Sequence, residues 1–165
     1  MKDDKDNGKT IELASPLAGR VVALGEVKDE VFSQKILGDG VAVYPSGSVL
    51  CAPADGRVVQ VFESGHAVTM LSDEGVELLL HVGIDTVSLR GRCFAVKVEA
   101  EQRVRRGEVL IEFDRQGILD AGYDTTTPMI VGNSDEFELR VLKNGEIAVG
   151  EPLLHLIRVK GEGRA

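Results

Sequence analysis

Hydrophobic positions along this chain come in short runs, broken by glycine every several residues. Such punctuation belongs to strands and turns rather than to helices. Residues 20–24, 40–44, 49–51, 56–62, 67–71, 77–81, 109–113, 129–131 and 153–159 are rich in Val, Leu and Ile and are predicted strands. Helical periodicity is weak: 115–121 predicts a short helix, and 31–35 and 134–137 one turn each. Lys143-Asn144-Gly145-Glu146 predicts a tight hairpin-type turn, because Asn-Gly accepts the backbone of such turns. The pattern as a whole predicts an all-β chain, an antiparallel β-sandwich or barrel with a few short helices. Polar residues 1–10 predict a disordered tail, 11–160 a single domain, and 161–165 a short C-terminal tail.

The pattern also repeats. Ser15-Pro16-Leu17-Ala18-Gly19-Arg20-Val21-Val22 resembles Ala52-Pro53-Ala54-Asp55-Gly56-Arg57-Val58-Val59. Val104 to Leu110 likewise echoes Ile147 to Leu153. In the first pair proline sets a turn, glycine follows three residues on, and β-branched residues begin a strand. Two turn-plus-strand units predict a duplicated β motif closing on itself, which removes exposed sheet edges.

Composition narrows the function. The chain has 165 residues, 43% hydrophobic and only 4% aromatic, with no Trp, so its core is aliphatic. The net charge of −8 argues against nucleic acid and anionic membrane surfaces as partners; it fits a basic protein partner or simply acidic solubility. Cys51 and Cys93 stand in separate segments and are expected to be free, inert thiols of a reducing compartment. With no apolar leader and no run long enough to span a membrane, a cytoplasmic protein is expected.

Candidate chemistry centres on His81, which ends the apolar run Leu78-Leu79-Leu80 and precedes the turn Gly83-Ile84-Asp85. Two readings are open there: an ordinary strand histidine, or an imidazole with one exposed nitrogen suited to accepting a phosphoryl group or a metal. The apolar collar disfavours the imidazolium, and a neutral imidazole is a nucleophile. Backbone N–H groups of the 82–85 turn are expected to face a bound phosphoryl dianion. If the segments around 66 and 81 pair, His66 reaches His81, and Ser64 stands near enough to orient His66 through its hydroxyl. Asp85 is either a charged support of the site or a simple turn former. His155 reads as structural. Two histidines fall short of a zinc set, and no HExxH, phosphate-cradling GxxxxGK or GxSxG motif is present.

Glu77-Leu78-Leu79-Leu80-His81-Val82-Gly83-Ile84-Asp85-Thr86, running on to Gly91 and Phe94, resembles the signature of the glucose-family enzyme IIA of the bacterial phosphoenolpyruvate-dependent sugar phosphotransferase system. The similarity extends to Ser15–Gly19, Asp29–Phe32, Gly38–Ala42, Ala52–Gly56, His66-Ala67, Val104–Gly107 and Glu112–Asp114, and covers roughly 11–160. This resemblance implies an antiparallel β-sandwich and a phosphocarrier. The phosphoryl group would pass from the carrier protein HPr to His81, then to a cysteine of the IIB domain of a sugar permease. His66 would stabilise the phosphorylated state without carrying it, and Ser64, where the family commonly has Thr, would keep the hydroxyl role. Gly83 and Asp85 fall on the turn beside the active histidine. Phe32, Phe62, Val68 and Phe94 would line the surface on which HPr and IIB dock. No cofactor is required, although relatives hold zinc between the two histidines and a partner carboxylate, which would make His66 and His81 zinc ligands. Other permeases and glycerol kinase are possible regulatory targets by the same resemblance. Cys93 departs from the glycine of many members, and residues 1–10 lack the amphipathic period of membrane-touching relatives.

Two alternatives use the same features. A regulatory or binding β-module of this fold would do without phosphotransfer; a biotinyl or lipoyl carrier needs a lysine at a hairpin tip, where Lys143 lacks the flanking context. A zinc peptidase of the LytM type also pairs histidines, but it needs an additional Asp and an HxH pair that this chain lacks.

Overall fold

The computed structural model describes residues 9–159. Residues 1–8 of the expected N-terminal tail, Lys160 at the end of the expected domain and the expected C-terminal tail 161–165 lie outside it, but Thr10, assigned to the tail, pairs with Ile157. Among the described residues fourteen strands follow in order. The first seven are β1 Thr10–Ala14, β2 Gly19–Ala23, β3 Asp39–Pro45, β4 Val49–Cys51, β5 Gly56–Val61, β6 Ala67–Ser72 and β7 Glu77–His81. The rest are β8 Phe94–Val96, β9 Arg103–Val104, β10 Val109–Phe113, β11 Thr127–Val131, β12 Phe137–Val141, β13 Glu146–Ile147 and β14 Pro152–Arg158. The helices are short: α1 Glu30–Ser33 and α2 Arg115–Asp120, with 3-10 turns at Leu24–Glu26, Thr86–Leu89 and Ser134–Glu136.

Every pairing is antiparallel. One sheet has eight strands in the order β13-β2-β3-β11-β7-β6-β5-β9, and two have three, β1-β14-β12 and β4-β10-β8. All three are open, so of the two expected forms the sandwich is the one built; among the described residues no barrel closes.

Side chains alternate across the large sheet, as the pleat requires. Val41 and Val43 of β3, Met129 and Val131 of β11, and Leu78 and Leu80 of β7 enter the main core. There they meet Leu13 and Leu154 of one small sheet and Leu50 and Leu110 of the other. Each fully buried aliphatic side chain of this kind contributes about 1.5–3 kcal/mol. The intervening residues Ala42, Ile130 and Leu79 lie on the opposite face, under Leu24, Val27 and Phe32. By the same alternation, His81 emerges on that second face.

The sequence echo has a structural counterpart. Gly19 and Gly56 each open a strand, β2 and β5, and each lies against the backbone of its neighbour, Tyr44 or Leu71. β2 is flanked by β3 and β13, and β5 by β6 and β9, so the two echoes occupy equivalent ends of the large sheet. The loops before these strands also bond reciprocally: Ala14 N–H donates to the Pro53 carbonyl and Cys51 N–H to the Pro16 carbonyl. Ser15 and Ala52 each donate to a glutamate carbonyl, Glu151 or Glu108. Each then accepts from the glycine beside that glutamate, Gly150 or Gly107.

The turn at 143–146 is a correction. The chain bends at Gly145 (φ 76°), whose carbonyl accepts from Val21 N–H, and β13 pairs with β2 rather than returning along β12. The strands that hydrophobic runs did not announce are β1, β8, β9, β12 and β13. β9 and β13 are two residues long, and β12 carries the charged Glu138 and Arg140, so neither kind shows an apolar run.

Two substitutions test this backbone. A Cβ at Gly56 would sit inside contact distance of the Leu71 carbonyl and 2.8 Å from Ser72 Cα, so Gly56→Ala lowers stability by about 2–3 kcal/mol in urea unfolding. Cys93 holds a left-handed φ of 79°, which costs a non-glycine residue about 1–2 kcal/mol. Cys93→Gly therefore moves the unfolding midpoint upward by the equivalent of about 1 kcal/mol, less the packing that the thiol loses.

Candidate active site

The β6–β7 hairpin brings the two histidines together. Ala67 is the direct partner of His81, and the ladder continues past the strand end, where Val82 N–H donates to the His66 carbonyl at 2.8 Å. The imidazole centroids are 4.8 Å apart with planes at 80°. Three phenylalanines frame them: Phe32 lies edge-on to His81 at 5.1 Å, Phe62 edge-on to His66 at 5.5 Å, and Phe94 6.4 Å from His66. Phe32 is carried by α1, whose first turn is capped by the Asp29 carboxylate accepting from Val31 N–H.

His81 is half-buried, and its Nδ1 lies 2.7 Å from the Gly83 carbonyl oxygen. A carbonyl only accepts, so Nδ1 carries the proton of the neutral ring and Nε2 keeps its lone pair. The contact depends on glycine: Gly83 has φ 79°, and a Cβ there would meet Thr86 Cγ2 at 2.5 Å and the Asp124 carbonyl oxygen at 2.9 Å. Burial lowers the His81 pKa from its usual value, and the Gly83 bond and the charges of Asp29 and Asp85 oppose that without overcoming it. His66 is only 3% exposed, and burial, helped by the neighbouring His81, brings its pKa down from 6.5 to about 4. Both rings are thus held neutral near pH 7.

Several expectations need correction. Ser64 makes no hydrogen bond to His66; the His66 Nδ1 is buried without a partner. A left-handed Gly65 (φ 72°) separates the two residues and turns Ser64 into the preceding turn. A buried lone pair without a donor costs less than a buried N–H without an acceptor, so the neutral His66 carries its proton on Nε2. Val68 is wholly buried, because strand alternation sends it into the main core, and it forms no part of a surface. Phe32 is also mostly covered, at 6% exposure. Two of the expected turn donors are already committed, Val82 N–H to the His66 carbonyl and Ile84 N–H to the Asp124 carbonyl. Gly83 is buried beneath the site. Asp85 is exposed in the left-handed region (φ 62°), and its side chain caps nothing, so it is not a turn former through its carboxylate.

The remaining candidates lie apart from the histidine pair. His155 Nε2 lies 3.4 Å from Glu12. Lys143 pairs with Glu151. Burial raises the Cys51 pKa, and burial followed by the Asp114 charge raises that of Cys93, so neither is an activated thiolate. Among the described residues no group of three His, Cys, Asp or Glu side chains is arranged to hold a metal. Zinc on the two imidazoles would need ligands from another molecule.

The sequence reading gave no role to Asp29, Thr86 or Asp124. Thr86 donates its hydroxyl to the Val82 carbonyl. Asp124 accepts from both Thr126 N–H (2.9 Å) and the Thr126 hydroxyl (2.7 Å). An Asp with Thr two residues on, just before a strand, is a local signal for such a turn; that it lies under His81 is visible only in the fold.

Comparisons with known proteins identify the family. Residues 11–137 match the family of the phosphoenolpyruvate-dependent sugar phosphotransferase system, EIIA 1. The chain is 42% identical over 144 residues to the PTS system glucose-specific EIIA component of Haemophilus influenzae, covering 87% of each. It is 42% identical over 146 residues to the PTS system beta-glucoside-specific EIIBCA component of Dickeya chrysanthemi, spanning 88% of this chain but 23% of that much longer protein. The glucose permease IIA structure from Mycoplasma capricolum superposes with a TM-score of 0.85 at 35% identity, over 89% of this chain and 96% of that one. This chain belongs to the EIIA 1 family of the phosphoenolpyruvate-dependent sugar phosphotransferase system.

Proposed function

We propose that this protein is a phosphocarrier of the sugar phosphotransferase system, accepting a phosphoryl group from phospho-HPr on Nε2 of His81 and passing it to a cysteine of a IIB domain. The observation that carries this reading is the 2.7 Å contact between His81 Nδ1 and the Gly83 carbonyl, which leaves Nε2 as the free nucleophile. In the forward step the Nε2 lone pair bonds to phosphorus while the bond from phosphorus to the donor nitrogen breaks, and the electron pair of that bond returns to the donor ring. Such transfer relies mainly on positioning and on stabilising charge, and needs little covalent chemistry from the protein. His66, with its proton on Nε2, is the donor toward the phosphoryl oxygens. Onward transfer reverses the roles: the IIB thiolate attacks phosphorus, and His81 recovers its lone pair.

The surroundings suit a carrier that binds partners briefly. Phe62, Phe94 and the edge of Phe32 supply apolar contact around the imidazoles. On the same sheet face, Leu37 and Val59 line a depression of about 400 Å³ with Leu79 and Ile130. Asp29 and Asp85 place negative charge beside His81, which favours a basic partner surface. The presence of EIIB in the name of the Dickeya chrysanthemi relative supports IIB as the acceptor. The family's dependence on phosphoenolpyruvate, a metabolite of the cytoplasm, supports action there.

Incubation with phosphoenolpyruvate, enzyme I and HPr adds one acid-labile phosphoryl group to the wild type, read by intact mass and phosphorus NMR, and none to His81→Ala. Labelling of His81→Ala to the wild-type level would sink the assignment. His66→Ala accepts the group but transfers it to IIB at least about tenfold more slowly, as expected for loss of a charge-stabilising donor.

The lowered histidine pKa values also have a consequence for stability. Between about pH 6.5 and 4 the unfolded chain binds a proton at His66 that the folded chain refuses, so stability is full above pH 6.5 and falls as the pH drops through this window. His81, lowered in the same direction, adds to the fall. Urea titrations across this range show His66→Gln losing less stability than wild type, by on the order of 1–3 kcal/mol.

A further inference from the structure

We infer that Asp124, with Thr126, is a positioning residue that sets the tautomer of His81. The inference rests on His81 as the phosphoryl acceptor but concerns a segment outside the histidine hairpin. The Gly83 carbonyl that receives the His81 Nδ1 proton and the Ile84 N–H are two ends of one peptide unit. That unit is trans and planar, so its carbonyl and N–H point in opposite directions and rotate together. Ile84 N–H donates to the Asp124 carbonyl at 2.9 Å. Holding the N–H end therefore aims the carbonyl end at His81.

Gly83 cannot hold this orientation by itself, since glycine is the residue with the widest freedom about φ and ψ. The anchor must come from outside the turn, and the Asp124 carbonyl supplies it. That carbonyl is in turn fixed by its own side chain. Asp124 Oδ1 accepts from Thr126 N–H at 2.9 Å and from the Thr126 hydroxyl at 2.7 Å. The two bonds close a local turn at the entrance to β11, the strand paired with β7. Thr126 is buried and Asp124 half-buried, so water competes weakly for these bonds. The order of support runs from the Asp124 carboxylate to its backbone, to the Gly83–Ile84 peptide, to the His81 ring. With that peptide free to rotate, His81 Nδ1 loses its acceptor, and the neutral ring divides its proton between the two nitrogens. Nε2 then carries a proton in part of the population and is no nucleophile there.

The test compares wild type, Asp124→Ala and Asp124→Asn by nitrogen-15 NMR of the histidine rings and by the rate of phosphoryl acceptance from phospho-HPr. Circular dichroism gives the folded fraction of each. Asp124→Ala brings the two His81 ring-nitrogen shifts together and slows acceptance about tenfold, the scale typical of a lost outer support. Asp124→Asn keeps an oxygen acceptor for Thr126 and restores both. Wild-type shifts in Asp124→Ala, or slowing no greater than its unfolded fraction, would reduce Asp124 to a structural role. Failure of Asp124→Asn to restore the shifts would equally overturn the inference, because charge rather than acceptor geometry would then matter. If wild-type His81 takes no phosphoryl group, the phosphocarrier reading fails, while the ring-nitrogen comparison still decides what Asp124 does.

Discussion

Alternation of side chains across the eight-stranded sheet is the constraint on which the rest of this molecule depends. One face of the sheet is committed to an aliphatic core shared with the two smaller sheets. A slip of one residue in β7 would exchange Leu78 and Leu80 for Leu79 and His81, placing an imidazole in that core. The cost of burying an unpartnered polar ring fixes the register. The same register delivers His81 to the face where Phe32 and the 3-10 turn at Leu24–Glu26 pack. The core and the candidate site are thus two sides of a single choice of pairing.

At His81, desolvation and hydrogen bonding act on one ring with opposite preferences. Around His81 the Gly83 bond and the carboxylates of Asp29 and Asp85 favour the cation, yet burial prevails. His66 has no such opposition and is lowered to about 4. The outcome is a pair of neutral imidazoles with distinct tautomers, one with a free Nε2 and one with its proton there. Neither role comes from the residue type alone. Each follows from what the Nδ1 atom meets, a carbonyl in one case and a buried position without a hydrogen-bond partner in the other.

The duplicated arrangement is built from strands and turns. Two turn-plus-strand units bond to each other through Pro16 and Pro53 and extend opposite ends of one sheet. The connection carrying α1 lies over the second face and contributes Phe32 to the site. Polar residues in α1 and its cap, Asp29 foremost, bring charge to the rim without entering the core.

Much of this was legible in the linear chain. The apolar runs that became β4, β7 and β10 stood at their observed bounds, and the Gly-Arg-Val-Val echoes marked the starts of β2 and β5. His66, His81 and the three phenylalanines all meet at one site. Strands of two residues and strands with charged outward faces carry no apolar run, so β9, β12 and β13 were illegible. Ser64 and Val68 misled for a related reason: closeness in sequence does not tell which way a side chain points once a left-handed glycine or the pleat intervenes. The sequence by itself determined the all-β class, the aliphatic core and the histidine pair, because periodicity and composition act locally. Tertiary structure alone decided which nitrogen of each ring is free and that Asp124 stands beneath Gly83, because those depend on backbone groups brought from distant strands.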